Sequence, residues 1–209
     1  LSESATLAVA QKSRELRAQG IDVIGLGVGE PDFHTPDFIK EAAKKAIDDN
    51  YSYYSPIAGY AELQNAIIKK LKRDNNLDFQ PAQIVVSNGA KHALANVIQV
   101  VVDRGDEVII PAPYWVTYSD LVNFSEGVGV FLETSVERDF KITPEQLEAA
   151  ITPRTRAFLF SSPSNPTGSV YTREELKAFA EIFAHYPDII IISDEIYEHI
   201  IYGRKFESI

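Results

Sequence analysis

From Gln83 to Ser193 the chain alternates short apolar runs with amphipathic stretches. QIVVS, DEVII, GVGVFLE, RAFLFSS and IIIIS are each bounded by turn residues or charge and read as strands. Between them, residues 90–102, 114–124, 144–151 and 173–185 read as helices. That alternation predicts an α/β fold, a mostly parallel sheet with helices on both faces. The most apolar run, residues 189–193, predicts a fully buried strand that ends abruptly in Asp194. The carboxyl edge of an open α/β sheet is where ligands bind. A carboxylate there must meet a cationic partner or carry a large desolvation cost, unless it simply caps the next helix.

Ahead of this region the pattern is different. Residues 2–19 read as a helix, with Leu7, Ala10, Arg14 and Arg17 spaced by threes and fours and Gly20 as its stop. IDVIGL (21–26) reads as a short strand, and GVGEPDFHTP gathers Gly27, Gly29, Pro31 and Pro36 into a loop whose backbone can approach a ligand or merely turn. A helix opens at Thr35-Pro36-Asp37 and runs to about residue 49. NYSYYSPIAGY is too aromatic for a routine solvent loop and suggests an interface or a pocket wall. Residues 61–75 form another amphipathic helix whose lysines read as a solvated face. The expected division is an N-terminal arm with part of a small domain over 1–40, and a large, incomplete domain over 41–209.

Composition narrows the function. Of 209 residues, 45% are hydrophobic and 11% aromatic, enough for a sizeable core. The formal net charge of −10, with Lys and Arg scattered, argues against nucleic acid or an anionic membrane as a main partner. Cysteine is absent, which excludes disulfides and thiolate chemistry. No run reaches the ~20 apolar residues of a membrane helix, and no signal peptide is visible, so a cytoplasmic location is the default expectation. Methionine is absent even at position 1, so the natural start is expected to lie elsewhere. No metal ligand set is assigned.

The predicted strand ends carry the chemistry. VVSNGAKHAL turns through Asn88-Gly89 into a helix whose first amides are Gly89, Ala90 and Lys91. Free N–H groups and the positive helix end suit a phosphate there, although many such turns contain glycine and bind nothing. It is neither GxGxxG nor GxxxxGK[ST], so the usual dinucleotide and P-loop readings lose ground. PAPYWVTY places the only tryptophan, Trp115, at the next strand end, as a core residue or as a ligand platform.

In order and spacing, VGEPDF (28–33), SNGAKHAL (87–94), PYW (113–115), SPSNPTG (162–168) and SDEIY (193–197) resemble the class I/II aminotransferases of pyridoxal-phosphate fold type I, nearest the aspartate aminotransferase group. The combination of SNPTG with an Asp-x-x-Tyr whose aspartate follows Asn165 by 29 residues is specific, and the resemblance covers nearly the whole chain. It implies that Asp194 pairs with the cofactor's pyridinium nitrogen, and that Asn165 and Tyr197 hydrogen-bond the ring's phenolic oxygen. It further implies that Trp115 stacks on the ring and that Gly89, Ala90 and Lys91 hold the phosphate. Tyr54 is implied to reach the partner's phosphate in a homodimer, and Gly29 to touch the substrate carboxylate, with Trp115 and Asn165 also facing the substrate. Asp194 and Tyr197 are the catalytic candidates.

The same resemblance marks an absence. The family's Schiff-base lysine and its carboxylate-binding arginine belong to segments after Ile209; Lys205 and Lys91 are not in the lysine's context. The 209 residues therefore resemble the N-terminal half of an aminotransferase, expected to be inactive and poorly folded alone. The intact protein is expected to move an amino group between an L-amino acid, aspartate or glutamate in type, and a 2-oxo acid by a ping-pong route. A lyase or synthase using the same cofactor, or a non-catalytic ligand-sensing domain, stays open as an alternative.

Overall fold

The computed structural model describes residues 5–26, 29–31 and 33–209, the side chains of residues 5–7 excepted. Two compact units divide the chain, Leu1–Tyr60 and Ala61–Ile209.

In the first unit, α1 (Ala5–Ala18) stops where Gly20 takes a positive φ of 80° and its N–H bonds to the Arg17 carbonyl. The start predicted at Ser2, and the Gly27, Val28 and Asp32 positions of the following loop, lie outside the described residues, as does the Leu7 side chain. α2 (Asp37–Asp48) opens after Pro36, whose carbonyl accepts the N–H groups of Ile39 and Lys40. The strand predicted over 21–26 is not formed. A strand exists only through a neighbour's ladder, no described strand pairs with this segment, and Ile24 and Leu26 stay exposed.

The second unit holds α3 (Ala61–Asn75), α4 (Ala90–Val101), β1 (Glu107–Ala112), α5 (Thr117–Phe124), β2 (Val128–Glu133), α6 (Pro144–Ala150), β3 (Thr155–Ser161), α7 (Arg173–Phe183) and β4 (Ile190–Asp194). The sheet runs β2-β1-β3-β4 with every pair parallel. Helices α6 and α7 each begin in a capping box, Thr143 with Gln146 and Thr172 with Glu175. QIVVS, expected as a strand, is instead a 3₁₀ turn at Pro81–Gln83 followed by coil, because none of the four strands runs beside it. Ile84 is nevertheless buried, and its carbonyl accepts from the Gln64 amide of α3 at 2.8 Å.

Alternation along the strands gives each face of the sheet its own core. Val108 and Ile110 of β1, Ala157 and Leu159 of β3 and Ile192 of β4 pack with Leu94 and Ile98 of α4 and Tyr118 and Val122 of α5. Ile109, Phe158 and Phe160 face the other way, toward Leu147 of α6 and Leu176, Phe179 and Phe183 of α7. The predicted class, α/β with helices on both faces, is the class observed.

One burial expectation needs correction. β4 is an edge strand, so Ile190 is partly exposed and only Ile192 and Asp194 are buried. The central strands β1 and β3, each with a neighbour on both sides, are the ones that hide three consecutive apolar residues completely.

Two measurements test this core. Phe158→Ala should cost about 3–5 kcal/mol in chemical unfolding followed by circular dichroism, against under ~0.5 kcal/mol for Val100→Ala, since the first empties a packed site and the second an exposed one. The Tyr171 hydroxyl accepts the Ile142 N–H at 3.1 Å, and burial pushes the phenol up to about 12 from its ordinary 10.0. The folded state therefore keeps a proton the unfolded chain sheds. This contribution is intact below about pH 10 and is lost as pH rises toward 12. Tyr171→Phe should lower stability by about 1–3 kcal/mol near neutrality by orphaning the amide, and should flatten the alkaline decline.

Candidate active site

Parallel strands deliver their carboxyl ends to one edge, and the loops leaving β1, β3 and β4 meet there. A cavity of about 160 Å³ opens at this edge, lined by Trp115 after β1, Asn165 after β3, Asp194 and Tyr197 at and after β4, and Ala90 at the start of α4. Five of the candidate residues, drawn from four separate segments, thus share one space.

Asp194 ends the alternating pattern of β4 on the buried side, and it retains 9% exposure. Its Oδ2 accepts the Tyr118 hydroxyl at 2.7 Å and its Oδ1 accepts the Ile196 N–H at 3.2 Å. Among the described residues no ion pair reaches it. The contrast is Glu107 at the opposite edge of the sheet, also buried, whose Oε1 takes the Arg154 Nε–H at 2.9 Å. The Thr152 hydroxyl, and then Arg154, hold the Glu107 carboxyl below its usual range against the opposing effect of burial. A buried carboxylate facing a cavity without a cation of its own is a receptor for a cationic or proton-bearing ligand group.

Trp115 supplies a flat wall. Its ring meets Tyr118 edge-on at 5.8 Å, and Lys91 Nζ lies 5.0 Å from the ring centroid. The Lys91 ammonium is therefore engaged with the indole; neither it nor Lys205, which pairs with Glu207 at 3.1 Å, is among the described residues lining the cavity.

At the α4 start Gly89 takes φ 88°, and its carbonyl accepts the N–H groups of His92 and Ala93. A Cβ at residue 89 would meet nothing within 4 Å, so within this chain the need for glycine is conformational. The His92 ring adds a brace by accepting the Asn88 N–H at its Nδ1, 3.1 Å away. The first N–H groups of the helix, with the positive end of its dipole, are thereby presented as an anion seat.

Asn165 and Tyr197 also line a wider cavity of about 430 Å³ that carries Arg204 and Asp139, so the two side chains are bordered by space on two sides. Gly29 and Tyr54 belong to the first unit, where Tyr54 is fully exposed and Gly29 has open space around its α-carbon.

Sequence reading missed three residues that line this cavity, Ile196 and two with polar side chains. Tyr118 lies one helical turn after Trp115, a spacing that puts both on one side, and Ser161 is the last residue of β3, paired in register with Asp194. Both line the cavity. Burial, and then the Asp194 charge and hydrogen bond, push the Tyr118 phenol well above its ordinary value, so it remains a donor.

Gly89→Ala should destabilise the protein by about 1–3 kcal/mol, the cost of forcing a Cβ-bearing residue into φ 88°, ψ 163°, a conformation essentially reserved for glycine, with thermal unfolding as the measure. Gly129→Ala, whose glycine has no positive φ but whose Cβ would clash with Phe131, serves as a contrasting steric case.

Comparison with known proteins places these features. The profile of the family described as "Aminotransferase class I and II" matches residues 21–209. The chain is 54% identical over 204 residues to an aspartate aminotransferase of Geobacillus stearothermophilus, covering 97% of this chain and 51% of that protein. It is 53% identical over 201 residues to an aspartate/prephenate aminotransferase of Nitrosomonas europaea, covering 96% and 51%. Aspartate aminotransferase from Thermus thermophilus, solved with maleate, superimposes with a TM-score of 0.96 at 46% identity over 100% of this chain and 54% of that one. The chain spans about half the length of the relatives it matches.

Proposed function

Because the chain belongs to the class I and II aminotransferases, we propose that the whole protein transfers an amino group between an L-amino acid of aspartate or glutamate type and a 2-oxo acid, using pyridoxal 5'-phosphate. The similarity to enzymes named aspartate aminotransferase supports the substrate class. The Thermus structure solved with maleate, a dicarboxylate, points the same way. Relatives named aspartate/prephenate aminotransferase favour assaying prephenate beside the simpler oxo acids.

The residues present suit this cofactor. A flat indole wall, a buried carboxylate without a cation and a helix start held by a left-handed glycine match a planar ring, a protonated ring nitrogen and a phosphate. When bound, pyridoxal phosphate supplies an electron-accepting ring that stabilises negative charge at the substrate α-carbon. Asp194 would hold the proton on the ring nitrogen, and its burial strengthens that attraction. Asn165 and Tyr197 would donate hydrogen bonds to the phenolic oxygen, Trp115 would cover one ring face and exclude water, and Gly89, Ala90 and Lys91 would seat the phosphate. The support that weighs most is the uncompensated Asp194 carboxylate in the cavity beside Trp115.

Three parts of this reading lie beyond the cavity. The Schiff-base lysine and the carboxylate-binding arginine are assigned to segments outside these 209 residues. Gly29 is assigned to the substrate carboxylate, and a homodimer is assigned in which Tyr54 reaches the partner's site; the exposure of Tyr53, Tyr54 and Ile57 favours such an interface. The domain division at residue 40 is retained as part of the same proposal. Among the described residues no helix is long and apolar enough to cross a membrane, and the cytoplasm is the proposed location.

The test is the full-length protein assayed with aspartate and 2-oxoglutarate after incubation with pyridoxal phosphate. Asp194→Ala should reduce turnover by at least about a thousandfold, more than ~4 kcal/mol of barrier, while circular dichroism remains that of the parent. Undiminished turnover would remove Asp194 from its role.

A further inference from the structure

We propose that Lys70 is a positioning residue: through its ion pair with Glu198 it fixes the turn that aims Tyr197 into the cavity. This deepens the pyridoxal-phosphate reading and rests on it.

Tyr197 lies in neither a strand nor a helix, because β4 ends at Asp194 and the residues after it form a turn. Among the described residues its hydroxyl has no hydrogen-bond partner, although the side chain borders both cavities. The aim of that hydroxyl is therefore set by the backbone beneath it and by what ties that backbone down. On the upstream side the Asp194 Oδ1 takes the Ile196 N–H at 3.2 Å, and the Glu195 Oε1 takes the hydroxyls of Ser193 and Ser208 at 2.9 and 2.6 Å. On the downstream side stands Glu198, whose N–H closes the turn on the Glu195 carbonyl at 3.0 Å.

Glu198 is tied across the fold. Its Oε2 accepts from the Lys70 Nζ of α3, 128 positions earlier in the chain. The lysines of α3 read from the sequence as a solvated face, and Lys72, paired with Asp78 at 51% exposure, keeps to that reading. Lys70 departs from it. Its side chain retains 24% exposure and that of Glu198 19%, so water screens this pair less than a surface one. The Lys70 ammonium also donates to the Asn75 Oδ1 at 3.0 Å, and α3 is itself moored by the Gln64 amide on the Ile84 carbonyl. A fixed helix thus grips the turn from outside. The other Glu198 oxygen faces only the exposed His199 ring, whose Nε2 is 3.4 Å away, so Lys70 is the principal hold. Without it Glu198 would be left half-buried and unpaired, and the turn would shift to hydrate it, carrying Tyr197 along.

The experiment uses the full-length protein loaded with pyridoxal phosphate and follows the absorption band of the bound cofactor against pH. In the functional reading Tyr197 donates to the ring's phenolic oxygen and stabilises its anion, which lowers the midpoint of that titration. Tyr197→Phe should therefore raise the midpoint by about one pH unit and Lys70→Met by about half of one. In the Tyr197→Phe background Lys70→Met should shift it no further, because it acts through a hydroxyl that is gone. Lys69→Met, at the exposed neighbouring position, should keep the parental midpoint. Lys70→Met should also lower kcat about fivefold with the amino-acid KM changed by less than about twofold. A parental midpoint in Lys70→Met, or the same shift with and without the Tyr197 hydroxyl, would overturn the proposal. Should Lys70→Met fail to fold, Glu198→Gln, which keeps an acceptor without the charge, decides by the same midpoint, and the parental value in it likewise overturns the proposal. Failure of the parent to take up pyridoxal phosphate, or a parental midpoint in Tyr197→Phe, would instead remove the functional reading beneath it.

Discussion

A carboxylate hidden at the end of a hydrogen-bonded ladder sets the terms for the active edge of this protein. Asp194 continues a strand whose preceding inward residue is Ile192, so the backbone register of β4 carries a charge into a layer built mainly from aliphatic side chains and the Tyr118 ring. Such a group is costly unless its lone pairs are used. Here a phenol and one backbone N–H use part of that capacity, and the remainder faces a cavity. The sheet, the two helical layers and the loops after β1 and β3 can be understood as the apparatus that keeps this oxygen pair dry and aimed.

The two faces of the sheet divide the labour. On the α6 and α7 side, aromatic rings of Phe158, Phe160, Tyr171, Phe179 and Phe183 meet at centroid separations of 5.0 to 6.0 Å, a filling with no chemistry at its edge. On the α4 and α5 side the packing is aliphatic through most of its depth and turns polar only in its last rung. The stiffness of a layer with completely buried residues at Val108, Ile110 and Leu159 is what allows a polar rung to be held in one arrangement.

Much of this was legible in the sequence, and the reasons are physical. Periodicity found all seven helices of the described residues and the four strands, because each has an unambiguous apolar face. The segments 21–26 and 83–87 have strand-like composition but no ladder partner, which a local pattern cannot report. Burial at 189–193 was overstated for the same reason, since position at a sheet edge is a property of the whole topology. Within the site, Asp194, Trp115 and Ala90 were found because strand ends and turn residues mark them, and Asn165 and Tyr197 through the resemblance of their motifs to the aminotransferases. Tyr118 escaped notice as one more aromatic on an amphipathic helix, and Ser161 as one more small residue before a proline. Their meaning appears only when two strands are placed in register.

Trp115 leaves a last consequence. It is the only indole among these 209 residues and it forms one wall of the cavity, with an ammonium nearby and a tyrosine ring against its edge. Its emission should therefore depend on what fills the adjacent space far more than on events elsewhere in this half of the fold. The chain carries a built-in optical gauge of occupancy, fixed to the sheet edge where chemistry is set.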